Sequence, residues 1–156
     1  MEKISRELLI KEVSSRLPYG IKVQVLGWDE EKGEVEVPLK VYSINTDGYI
    51  SFEYNHYSVE AVHVEDYRLY LRPISTMTEE EMDILFDILR IDKDGNDEDW
   101  IKINDDTGIK FFFPTGKWIE NVAEAYDYLY SIHIDFRGLI HKGLALEAPK
   151  NMYNVK

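Results

Sequence analysis

The sequence predicts an α+β fold: an N-terminal helix, a small curled antiparallel sheet or SH3-like barrel, then two helices with a β-hairpin and an irregular C-terminal tail. Three observations carry that prediction. Apolar residues recur at helical spacing near residue 10 and again after residue 78 and residue 117. Between residues 21 and 71 they alternate with polar ones instead, the period of a strand with one buried face. Turn signals separate the alternating runs at intervals too short for intervening helices.

The first helix is expected from Ser5 to Arg16, with Leu9, Val13 and Leu17 on one face and Pro18-Tyr19-Gly20 as its stop. Ile21-Lys22-Val23-Gln24-Val25-Leu26 alternates cleanly, and Glu30-Glu31-Lys32-Gly33 reads as a turn. Val35, Val37, Leu39 and Val41 form the next alternating run, with Pro38 placing it at an edge or bulge. Asp47-Gly48 predicts a hairpin with a type I′ turn, which needs positive φ at both central residues. Ile50, Phe52 and Tyr54 then share a face, and Val59–Val64 and Tyr67–Leu71 complete the strand candidates. So many short strands joined by tight turns suggest a curled sheet or its closed form, which hides strand edges.

Arg72 to Thr78 leads out of the sheet and marks a boundary between an N-terminal subdomain, residues 1–75, and a second, residues 76–156, sharing one compact unit. Thr78-Glu79-Glu80-Glu81 is a capping box, in which the Thr hydroxyl and the Glu81 carboxylate satisfy each other's backbone amides. The helix it opens runs to about Ile91. Its stripe of Met82, Leu85, Phe86 and Leu89, widened by Ile84, Ile88 and Ile91, is broad enough to need cover from more than one element. Trp100–Ile103 and Ile109–Phe113 form a predicted hairpin around Asp105-Asp106-Thr107-Gly108. A helix from about Lys117 to Ser131 carries Trp118, Val122, Ala125 and Leu129 on one side. The tail is short helix and extended chain, with Gly138 and Gly143 at helix ends.

Composition bounds the function. The chain has 156 residues, no cysteine and eleven tyrosines. Disulfides, thiolate metal sites and cysteine nucleophiles are therefore excluded. The net charge of −12 disfavours direct nucleic-acid binding, because no basic segment offsets it. From Thr76 to Asp106, twelve acidic residues face only Arg90, Lys93 and Lys102. No apolar run is long enough for a membrane helix, and the first residues lack the apolar core of a secretion signal. The reading is a cytoplasmic protein with no membrane association.

Three blocks resemble uncharacterised proteins encoded by phages, prophages and other mobile elements of gut Bacteroidetes. They are Ser14-Ser15-Arg16-Leu17-Pro18-Tyr19-Gly20-Ile21-Lys22-Val23, then Tyr70-Leu71-Arg72-Pro73-Ile74-Ser75-Thr76-Met77-Thr78-Glu79-Glu80, then the tail from Leu129 to Pro149 with Met152-Tyr153. The tail, with its Asp135-Phe136-Arg137-Gly138 step, is the most specific. The resembling proteins carry a second histidine and an asparagine just before that step, where this chain has Ile and Ser. The resemblance implies a mobile-element origin and the bacterial cytoplasm, and it implies no activity.

Four constellations invite chemistry. Asp92 and Asp94 match positions 3 and 5 of a calcium loop if Gly95 is position 6, but position 1 is Arg90 and position 12 is Ile101, so a solvated acidic turn is expected. His133, Asp135 and Arg137 alternate and would share a strand face, offering a base beside a carboxylate and an anion-holding arginine. The competing expectation is that Asp135 caps a turn, Arg137 pairs with a carboxylate and His133 is packed. Phe113-Pro114-Thr115-Gly116-Lys117 lacks both the leading Gly and the trailing Ser/Thr of a phosphate loop. Tyr49, Tyr54 and Tyr57, with Phe52 and His56 nearby, form an aromatic hairpin suited to core packing or a protein-binding face. No motif calls for a cofactor. The expected function is a non-enzymatic accessory protein that binds another protein. The alternatives are an acidic decoy or regulator of a nucleic-acid enzyme, and a small enzyme using His133, Asp135 and Arg137.

Overall fold

The computed structural model describes residues 4–25, 38–54, 57–62, 67–91, 101–111 and 121–153, and the fold is α+β. Helix α1 (Arg6–Arg16) starts at Ser5, whose side chain accepts from the Leu8 amide, and passes into a 3-10 turn, Leu17–Tyr19, that Gly20 ends in the left-handed region. Five antiparallel strands follow: β1 (Lys22–Val25), β2 (Leu39–Ile44), β3 (Ile50–Tyr54), β4 (Tyr57–Val62) and β5 (Tyr67–Leu71). Helix α2 (Glu79–Leu89), the hairpin β6 (Ile101–Asn104) and β7 (Gly108–Phe111), and helix α3 (Val122–Ser131) come next. Last is a two-residue strand, β8 (Leu146–Glu147).

The main sheet runs β4-β3-β2-β1-β5-β8. Between the curled sheet and the closed barrel, the described strands form the open sheet: β4 and β8 lie at opposite ends of its order. The bulge between Val41 and Ser43 and the irregularity between Ile50 and Phe52 bend the outer strands. The surprise is β8, which pairs in parallel with β5, Tyr70 opposite Leu146. A two-residue strand carries no period, so the alternation that reveals the others cannot reveal it.

The hairpin at Asp47-Gly48 forms, with a different turn. Only Gly48 has positive φ, at 88°. The Asn45 carbonyl accepts from Gly48, and the Asn45 side chain accepts from the amides of Asp47 and Tyr49. That side-chain mimicry of a turn removes the need for a second left-handed residue. The capping box at Thr78 and Glu81 is present as predicted, and α2 ends at Arg90 in the left-handed region. Residues 92–100 and 112–120 lie outside the described residues, and with them the acidic loop, Asp92, Asp94 and the Gly116-Lys117 pair.

Two apolar clusters fill the interior. One joins α1 to the main sheet through Leu9, Val13, Val23, Phe52 and Leu69, and takes in Leu139 and Ala145 from the tail. The other holds α2, α3 and the small hairpin around Leu85, Ile109, Leu129 and Phe136. The segment from Ile132 to Leu139 runs between them.

Candidate functional site

Helix α1 offers the inter-cluster segment something unusual. Its inward face carries Leu9 and Val13 but also Glu12 and Arg16, both fully buried. One turn apart, they form an ion pair between Arg16 Nη1 and Glu12 Oε2. Arg16 Nη2 also donates to the Ile134 carbonyl at 2.9 Å. The other oxygen of Glu12 accepts from Arg137 Nε at 2.6 Å, so one carboxylate serves two guanidinium groups. Tyr130 and Phe136 flank the Arg16 guanidinium, their ring centres 4.7 and 5.7 Å from its carbon, a favourable arrangement for a desolvated cation. Removing one partner of such a buried group leaves an uncompensated charge, at a cost of about 3–5 kcal/mol.

The predicted strand face of His133, Asp135 and Arg137 does not exist. Helix α3 continues to Ser131, and His133 takes φ 59°, which reverses the chain. Only an isolated bridge between Arg72 and Ile134 is strand-like. The three side chains go to separate places. Both oxygens of Asp135 accept backbone amides, Leu139 and Ile140, each at 2.8 Å. Burial raises its pKa, and those two amides act against the rise. Arg137 is held by Glu12 and by the Tyr130 hydroxyl at 3.1 Å. Nε2 of His133 lies 2.9 Å from the Tyr19 carbonyl. A carbonyl only accepts, so Nε2 carries the proton and Nδ1 the lone pair. Burial lowers the His133 pKa to about 4, with Arg16, Arg72 and Lys22 adding to the effect and the Tyr19 carbonyl opposing it. The ring is neutral near pH 7 and stacks on Tyr153 at 3.9 Å. No base, carboxylate and arginine converge on a common point here.

Of the aromatic hairpin, Tyr49 is 37% exposed next to the β2–β3 turn. Tyr54 and Tyr57 are opposite one another where β3 meets β4, but their side chains lie outside what the structure describes.

Sequence reasoning missed a broad concavity on the described surface. It is an open groove of about 720 Å³ between the β1–β2 pair, the start of α2, the end of α3 and the tail. Exposed Tyr19 and Ile84, with half-buried Tyr128, contribute apolar surface to its lining. Lys22 and Lys40 line the sheet wall, and Glu80 and Glu81 the helix wall. The floor is the His133–Tyr153 stack. Tyr153 fixes it by accepting from the Lys22 amide at 3.0 Å and donating to the Tyr70 carbonyl at 2.9 Å. Glu81 is committed to Arg72, with contacts of 2.9 and 3.0 Å. In sequence, these residues are scattered from 19 to 153, and nothing in the chain's spacing unites them.

Comparison with known protein families, curated proteins and solved structures yields no match. Among the described residues, no group of acidic and histidine side chains is arranged to hold a metal ion, and no helix is long and apolar enough to cross a membrane.

Proposed function

We propose that this chain is a non-enzymatic accessory protein of a phage or other mobile element, acting in the bacterial cytoplasm by binding another protein in the groove. The observation that carries the reading is the meeting of Tyr19, Ile84 and Tyr128 on one concave surface. Aromatic side chains bring large contact area at low entropic cost, and a volume of this size lies within the ~300–1,000 Å³ typical of ligand sites. The enzyme alternative loses its support because His133, Asp135 and Arg137 are each spent on a structural contact. The mobile-element origin is supported by the spelling of the tail and of the two shorter blocks.

The test is capture from lysate of a Bacteroidetes host on the immobilised protein, compared with Ile84→Asp. Ile84 is exposed on α2, so this substitution spares the core. We expect one enriched protein with the wild type and its loss with the variant; equal capture by both would remove the groove from the function. Exposed Glu79, Glu80, Asp83 and Asp87 on α2, with Glu124 and Asp127 on α3, favour the decoy as a second reading. Under it, duplex DNA would compete for the captured protein.

A further inference from the structure

Lys22 and Lys40 are direct cross-strand partners on β1 and β2. The Val41 amide donates to the Ile21 carbonyl at 3.0 Å, which makes the pair of residues 21 and 41 a hydrogen-bonded one. Pair types alternate along an antiparallel ladder, so Lys22 and Lys40 occupy a non-hydrogen-bonded pair, where side chains come closest. Val23 and Leu39 face the core, and the two lysines face outward into the groove. Like charges directly opposite on a sheet are destabilising. Neither lysine has a carboxylate partner among the described residues. Lys22 Nζ instead reaches the Met152 carbonyl at 3.3 Å, and Lys40 Nζ is 5.9 Å from the Tyr42 ring. The Lys40 stem lies beside Gly20, where a Cβ would sit at an ordinary van der Waals distance of 3.7 Å from Lys40 Cε. In a chain of net charge −12, with acidic residues outnumbering basic ones 30 to 18, two cations have been set against each other at the wall of this groove.

We infer that the Lys22–Lys40 pair is an anion-binding element of the groove, and that the groove takes a peptide segment whose acidic side chain lies between the two lysines while a neighbouring apolar side chain lies against Tyr19, Ile84 and Tyr128. The inference rests on the groove being the binding surface and adds the chemistry of its occupant. A carboxylate bridging the two ammonium groups turns a repulsive pair into a charge-assisted contact. The apolar lining alone would accept many sequences; the lysine pair selects among them.

The test is an amide NMR titration of the full chain with three probes: the blocked peptide Ac-Glu-Phe-Glu-NH2, its uncharged counterpart Ac-Gln-Phe-Gln-NH2, and inorganic phosphate. The acidic peptide is expected to shift amides at Gly20, Lys22, Ser131 and Met152, with the uncharged peptide binding at least roughly threefold more weakly, the scale of an exposed charge contact. Lys40→Glu should abolish the preference for the acidic peptide and raise Tm, because it places opposite charges across the ladder. Equal binding of both peptides, shifts elsewhere on the protein, no response to the acidic peptide, or a lowered Tm for Lys40→Glu would overturn the inference. Phosphate alone reproducing the shifts would make the site a simple anion site and overturn the peptide assignment. If the peptides fail while lysate capture remains sensitive to Ile84→Asp, the groove stands and the acidic occupant falls. Capture insensitive to Ile84→Asp removes the groove itself.

Discussion

His133 combines three demands in one residue: a left-handed backbone, a hydrogen bond from Nε2 to Tyr19 and a face for Tyr153. Its neutral state is part of the fold, and this has a pH signature. In the unfolded chain the ring titrates near 6.5, in the folded chain at about 4. The depressed value means that its contribution is fully present above pH 6.5 and is lost as pH falls toward 4, where the unfolded chain binds a proton that the folded chain refuses. The slope is about 1.4 kcal/mol per pH unit and the total about 3 kcal/mol. Asp135 is shifted the opposite way for a carboxyl, upward, so its proton uptake favours the folded state on the acid side and offsets part of the loss. Comparing the wild type with His133→Asn separates the two, since asparagine tolerates the left-handed backbone. Urea denaturation at pH 7 and pH 4.5 should show the stability gap between the proteins narrowing as pH falls; a constant gap would mean that the ring is not held neutral. At this scale the sequence was partly legible. The capping role of Asp135 and the pairing of Arg137 follow from their residue types beside a short turn. The Glu12 partner did not: glutamate four residues before arginine usually marks an exposed helix pair, and spacing carries no information about burial.

Among the elements, the small hairpin and the tail interlock through two glycines. Gly108, at φ 93°, would place a Cβ 2.1 Å from the Phe136 carbonyl oxygen, and Gly138, at φ 69°, would place one 2.5 Å from that of Asp106. Each glycine makes room for the other's loop, and the Ile109 amide seals the contact by donating to the Phe136 carbonyl at 2.8 Å. Gly143 has a similar φ, 72°, with nothing within 4 Å. Alanine at Gly143 should therefore cost only the ~1–2 kcal/mol of a left-handed non-glycine residue. At Gly108 or Gly138 it must also displace backbone, so the loss should exceed that at Gly143 by at least ~1 kcal/mol in thermal denaturation. Equal losses at Gly108 and Gly143 would mean that the two loops do not need their close approach. The hairpin itself was readable from Asp105 to Gly108, and so was the need for special backbone at Gly138. What could not be read was that the two loops meet, because a glycine's φ is a local property and its neighbour across space is not. The type I′ turn failed for a related reason, since the Asn45 side chain supplied what Asp47 was expected to supply by strain.

For the molecule as a whole, the net charge of −12 opposes compaction. The ion group of Glu12, Arg16 and Arg137 is largely sealed from solvent and little affected by salt, whereas the exposed carboxylates of α2 and α3 are screened by it. Raising salt from about 0.01 M to about 0.15 M shortens the screening length from ~30 to ~8 Å. Stability should rise by about 1 kcal/mol, a Tm increase of roughly 2–4 °C for a chain of this size. A falling Tm in calorimetry would instead identify exposed ion pairs as the stronger contribution. The α+β class and the order of helices and strands were visible in the change of apolar period along the chain. The strand order was not, since β8 joins a sheet whose other members end at residue 71.

The addition of β8 to the edge of that sheet, and of Tyr153 to the groove floor, also sets an order of events during synthesis. The amide of Lys22 waits for a hydroxyl 131 residues downstream. At elongation rates of roughly 5–20 residues per second, that interval lasts on the order of 10 s. Throughout it, the emerging N-terminal half lacks the tail residues that fill its core and holds Glu12 and Arg16 without Arg137 and the Ile134 carbonyl. A nascent chain in that condition exposes apolar surface and unpaired strand edges, and the groove forms only once Tyr153 is available to dock on Lys22 and Tyr70.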